Sequence, residues 1–75
     1  MNQTEFVEMM RLFQVGEPIK LTIRGNYGDY IEIGKLVKVE NNERIYLTRG
    51  LSHHYRRIRR IDVCTSEEWK KEVEA

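Results

Sequence analysis

The sequence predicts a mainly β protein of the α+β type: a small barrel of five short strands with a helix before it and a shorter helix after it. Three observations carry this. The apolar period changes from helical to two at Ile19. Turn-forming residues recur at short intervals from Gly25 onward. A glycine, Gly34, interrupts the second strand and lets a meander bend. Curling such a meander into a barrel also removes its exposed edges.

Phe6, Met9, Met10 and Phe13 lie on one face at helical spacing and predict a helix over 3–14. Asn2 with Glu5 forms a capping box at its start, and Gly16 stands where a stop is expected, just before Pro18. In the first strand Ile19, Leu21 and Ile23 alternate with Lys20, Thr22 and Arg24, which predicts one buried face. The segment Gly25-Asn26-Tyr27-Gly28-Asp29 predicts a hairpin turn, and a second strand starts at Tyr30. Along it Ile31, Ile33, Val37 and Val39 share the parity expected to face inward, with a bend or bulge at Gly34.

Asn41-Asn42-Glu43 predicts the next turn. Ile45 and Leu47 then face inward on a third strand, with Tyr46 and Thr48 outward. Gly50 to His54 reads as a connection, and Tyr55 to Val63 as a fourth strand and a short fifth. Ile58 and Ile61 are three apart, which predicts a 3₁₀ turn between those two strands. Thr65 with Glu68 is a second capping box, opening a helix over 66–74 with Trp69 and Val73 facing inward. The expected organisation is one domain over 1–75 with its barrel over 18–63.

Composition narrows the classes of function. With 40% hydrophobic and 33% charged residues, the chain of 75 residues suits one thin-cored globular domain. No stretch approaches the roughly 18 apolar residues of a membrane span, and the start MNQTEFVEMM lacks the basic and apolar pattern of a secretory signal. The single cysteine, Cys64, points to a reducing, cytoplasmic compartment. Cys64 and the His53-His54 pair have no zinc spacing, so neither metal nor cofactor is expected. His53, His54, Cys64, Asp29 and Asp62 could act in catalysis, but no two stand at a recognised catalytic spacing. The expectation is a non-enzyme without a small-molecule substrate.

The stretch from Val15 to Val63 resembles the YolD-like proteins, small bacterial and phage proteins related in fold to Sm-like and SH3-like barrels. The likeness rests on Ile19 to Ile23, Gly34-Lys35-Leu36-Val37-Lys38-Val39, Arg44-Ile45-Tyr46-Leu47 and Ile58-Arg59-Arg60-Ile61, with the Phe6 to Phe13 helix ahead of them. It implies an Sm-like barrel and a non-enzymatic accessory protein, in some genomes encoded beside a translesion DNA polymerase. DNA damage tolerance, or a phage origin, is the setting that the resemblance implies.

Thirteen basic and twelve acidic residues nearly cancel, so placement matters more than total charge. From Arg44 to Arg60 the chain carries Arg44, Arg49, Arg56, Arg57, Arg59 and Arg60 and no acid, interleaved with Tyr46, His53, His54 and Tyr55. Two ligands suit this set. Arg and Tyr anchors suit a protein partner or self-association, which is the leading expectation. Guanidinium groups on phosphates with aromatic stacking suit nucleic acid, which is the alternative. The acidic segment Glu67, Glu68, Glu72 and Glu74 could fold over the basic run and neutralise it.

Overall fold

Because apolar and polar residues alternate from Ile19 to Arg24, β1 (Pro18–Gly25) buries Ile19, Leu21 and Ile23 completely and turns Lys20, Thr22 and Arg24 outward. A computed structural model describes residues 1–49 and 52–74. The other elements are α1 (Gln3–Met10), β2 (Gly28–Glu40), β3 (Arg44–Leu47), β4 (His53–His54), a 3₁₀ turn at Tyr55–Arg57, β5 (Ile58–Val63) and α2 (Ser66–Glu74). All five strands are antiparallel in one sheet of order β4-β3-β2-β1-β5.

Closure into a barrel was expected and is not found: β4 and β5 stand at opposite ends of the ladder, with no pairing between them among the described residues. At two residues, β4 is too short to form a ladder beyond its pairs with Arg44 and Ile45. Part of the connection placed at Gly50 to His54, Gly50 and Leu51, lies outside the described residues; its His53 and His54 form β4 itself.

The second strand corrects the expected parity. Leu21 pairs with Glu32 and Ile19 with Gly34, so the inward residues of its first half are Glu32, Gly34 and Leu36. Ile31 and Ile33 therefore lie on the outer face, opposite Thr22 and Lys20. The pairing with β3 then slips by one between Leu36 and Lys38, and Val39 faces inward opposite Ile45. Val37 is the extra residue of a β-bulge, and it is exposed. The irregularity falls three residues beyond Gly34. Gly34 instead permits close approach, since a Cβ there would meet the Leu47 Cβ at 3.0 Å.

A second slip explains the spacing of Ile58 and Ile61. Thr22 pairs with Arg60 but Ile23 with Ile58, leaving Arg59 as the extra residue on β5. The 3₁₀ turn lies ahead of both isoleucines, not between them, and is capped by His54, whose Nδ1 accepts from the Arg56 N–H at 3.2 Å.

The capping boxes form at both helices. Asn2 Oδ1 accepts from Glu5 N at 2.8 Å, and Thr65 Oγ1 accepts from Glu68 N at 3.1 Å. The first helix ends at Met10, short of the predicted 14, and tighter turns bring Phe13 back into the core. Gly16, at φ +94°, donates its N–H to the Leu36 carbonyl at the bulge. At Asn41-Asn42 both residues take positive φ, 53° and 56°, and close the β2–β3 hairpin. The core joins Phe6, Met10 and Phe13 of the N-terminal segment to Ile19, Leu21, Ile23, Leu36, Ile45, Leu47, Ile58 and Ile61.

The C-terminal helix does not enter that core. Val73 is exposed and Trp69 half-buried, because α2 lies on the outer face through polar contacts. Lys20 Nζ meets Glu68 Oε2 at 2.7 Å, Lys35 Nζ stands 5.4 Å from the Trp69 ring centre, and Arg49 Nη1 donates to the Glu72 carbonyl at 2.9 Å. The hydrogen bond from Lys20 holds the Glu68 carboxyl below its usual range, helped by the Thr65 N–H, and Glu68 in turn raises Lys20. The contribution of this ion pair to helix docking is therefore present above the ordinary carboxylate range and lost as pH falls through the lowered Glu68 value. At the other end it is lost as pH rises through the raised Lys20 value. Trp69 emission should change at both limits and stay level between them, and Glu68→Gln should remove the acid limb. An acid limb unchanged in that variant would refute this clamp.

Candidate partner-binding surface

The six arginines between Arg44 and Arg60 reach different places because turns separate them. Arg44, on β3, donates to the Ser52 hydroxyl at 3.3 Å, and Arg49 engages α2. Arg59 Nε donates to Asp29 Oδ1 at 2.7 Å, and Arg60 Nε to Asp62 Oδ1 at 2.9 Å. Arg56 and Arg57, on the 3₁₀ turn, meet the end of β1, where Arg57 Nη2 donates to the Arg24 carbonyl at 3.3 Å. The expected single basic face is thus dispersed, and among the described residues only Arg49 of the six contacts the acidic helix.

The aromatic and imidazole groups of the same run divide likewise. Tyr46 faces outward, gives a hydrogen bond to Glu40 at 3.3 Å and lies under Lys38. Tyr55 is half-buried against Phe6, its ring centre 6.1 Å away, and the His54 ring stands 4.3 Å from it. His53 is buried and bonded to Glu32, a residue with no apparent role in the linear pattern. Glu32 occupies an inward position opposite Leu21, so this hydrogen-bonded pair spans from β2 to β4 across the strand between them.

What the linear reading missed is Arg24. It belongs to another strand, and folding brings it beside Arg56 and Arg57 around an open concavity of about 390 Å³, lined also by Gly25 and Asn26. Among the described residues no carboxylate lies within ion-pair distance of Arg24, Arg56 or Arg57. The hairpin itself requires glycine at Gly25, since a Cβ there would stand 2.6 Å from the Gly28 carbonyl oxygen and 3.1 Å from the Tyr30 ring. Tyr27 at the tip is fully exposed, and Tyr30 and Ile31 behind it are largely exposed. Arginines around a hollow, with exposed tyrosines on the adjoining hairpin, are the composition of interface anchors.

The groups considered for catalysis lie apart. Asp29 and Asp62 bind arginines, His54 caps the 3₁₀ turn, and Cys64 is buried, its thiol pushed up first by desolvation and then by the nearby Glu68 carboxylate. Among the described residues no three His, Cys, Asp or Glu side chains converge as metal ligands, and no helix is long and apolar enough to cross a membrane. Compared with known proteins, the chain matches no family model, no curated protein and no solved structure.

Proposed function

We propose that this chain is a non-enzymatic binding module that acts through protein–protein association, with the end formed by the β1–β2 hairpin and the 3₁₀ turn as its contact surface. One observation carries the reading: Arg24 and Arg56, without carboxylate partners among the described residues, flank a hollow beside the exposed Tyr27. The return of β5 beside β1, with a 3₁₀ turn ahead of it, supports an Sm-like or SH3-like arrangement. An accessory role in DNA damage tolerance, or a phage origin, is the setting proposed from the YolD-like resemblance. A second reading, nucleic-acid binding, is favoured by the docking of α2 on Lys20, Lys35 and Arg49, away from Arg56 and Arg57.

The test is affinity capture with the native chain and with Tyr27→Ala/Arg56→Glu, together with sedimentation of the isolated chain across concentrations. Expected is a protein recovered about tenfold less by the variant, or a mass above the monomer that falls on dilution. Equal recovery together with a monomer at every concentration would overturn protein association. Oligonucleotide retention that falls steeply with salt would select the second reading instead.

A further inference from the structure

We propose that the Arg24–Arg56–Arg57 concavity is an oxyanion-binding site that takes one or two acidic groups of an extended peptide segment, with Tyr27 and Tyr30 covering the apolar part of that segment. The inference rests on the proposed protein association and names the chemistry of its partner. Three guanidinium-bearing residues line the hollow and, among the described residues, no acidic one does. A guanidinium matches an oxyanion with two parallel hydrogen bonds, and such charge-assisted pairs are the strong ones. Arg57 is steadied by its bond to the Arg24 carbonyl, and Arg56 stands over the Tyr55 ring at 5.9 Å, so both side chains are oriented before any ligand arrives.

The surroundings favour a peptide over a polynucleotide. Nucleic acid needs a continuous track of phosphate contacts. Here the neighbouring arginines are occupied, Arg59 by Asp29, which stands on β2 opposite Arg24, and Arg60 by Asp62 on β5, so carboxylates interrupt such a track. A peptide needs one anchoring point plus apolar cover. Tyr27 and Tyr30 supply that cover at the hairpin.

The experiment follows backbone amide shifts of the ¹⁵N-labelled full chain on titration with an acetylated peptide of two adjacent glutamates followed by leucine. Parallel titrations use its diglutamine counterpart, a peptide with phosphoserine at the first position, and a short oligothymidylate. Saturable shifts at Gly25, Asn26, Arg56 and Arg57, half complete below roughly 1 mM, are expected with the glutamate or phosphoserine peptide. The tighter of the two identifies the source of the oxyanion. Binding should weaken about tenfold with diglutamine or in Arg24→Ala/Arg56→Ala, two exposed substitutions. Equal binding of diglutamine, shifts centred elsewhere, or tighter binding of the oligonucleotide would overturn the site. A captured protein whose recovery depends on Tyr27 but not on Arg24 and Arg56 would also overturn the anion site while leaving protein association standing.

Discussion

Glu32→Ala is expected to lower the unfolding free energy by about 2 kcal/mol, the scale for leaving a buried hydrogen-bonding group without its partner. The side chains of Glu32 and His53 are only 17% and 10% exposed, and each is the other's hydrogen-bond partner. Without the carboxylate, the imidazole N–H stays inside with nothing to bond, at a cost that water cannot offset. The loss is also mechanical: β4 has two residues and two pairing partners, so Glu32 supplies a fastening that the ladder cannot. Urea unfolding followed by far-ultraviolet circular dichroism measures the change. In Glu32→Leu/His53→Phe, which replaces both partners with apolar groups, most of the stability should return. A single variant within about 0.5 kcal/mol of the native protein would refute this fastening role.

Phe6→Ala is expected to cost about 3–5 kcal/mol. The ring is completely buried, and it joins α1 to the sheet and to Tyr55 of the 3₁₀ turn. A domain of this size has only about 5 kcal/mol in hand, so the variant should be largely unfolded near 37 °C. Val73→Ala, on the outer helix, should change stability by less than about 0.5 kcal/mol because that side chain is exposed. Thermal melts of the two variants side by side make the comparison. Equal melting temperatures would mean that α1 is not part of the core that holds the sheet.

Much of the fold was readable where a periodicity ran unbroken. The alternation of β1, the inward Ile45 and Leu47, the asparagine turn and both capping boxes were all legible, because each depends on residues adjacent in sequence. The second strand was misread because parity survives only while a ladder has no extra residue, and Val37 is one. Ile31 and Ile33 looked like core for that reason, and Glu32 looked like surface. The inward setting of Trp69 and Val73 failed differently: an amphipathic helix identifies its own apolar side, not which face of a sheet will receive it.

The candidate surface was half legible. Arg56 and Arg57 stood out as part of a basic run, but which arginines of that run acquire carboxylates is decided by Asp29 and Asp62, and their positions follow from register. Arg24 gave no signal, since an outward arginine at a strand end is an ordinary solvated residue until the 3₁₀ turn is folded against it.

The bulge at Val37 has a further result. It makes β2 the shared wall of two ladders, one with β1 and one with β3, whose inward positions obey opposite parity rules. Deleting Val37 would leave Leu36, Lys38 and Val39 in unbroken alternation opposite Leu47, Tyr46 and Ile45, so the pairing with β3 would keep its partners and only the local bend would be lost. The inserted residue therefore shifts the phase of the sequence, not the frame of the sheet, between the hairpin end that bears the arginines and the end that carries α1.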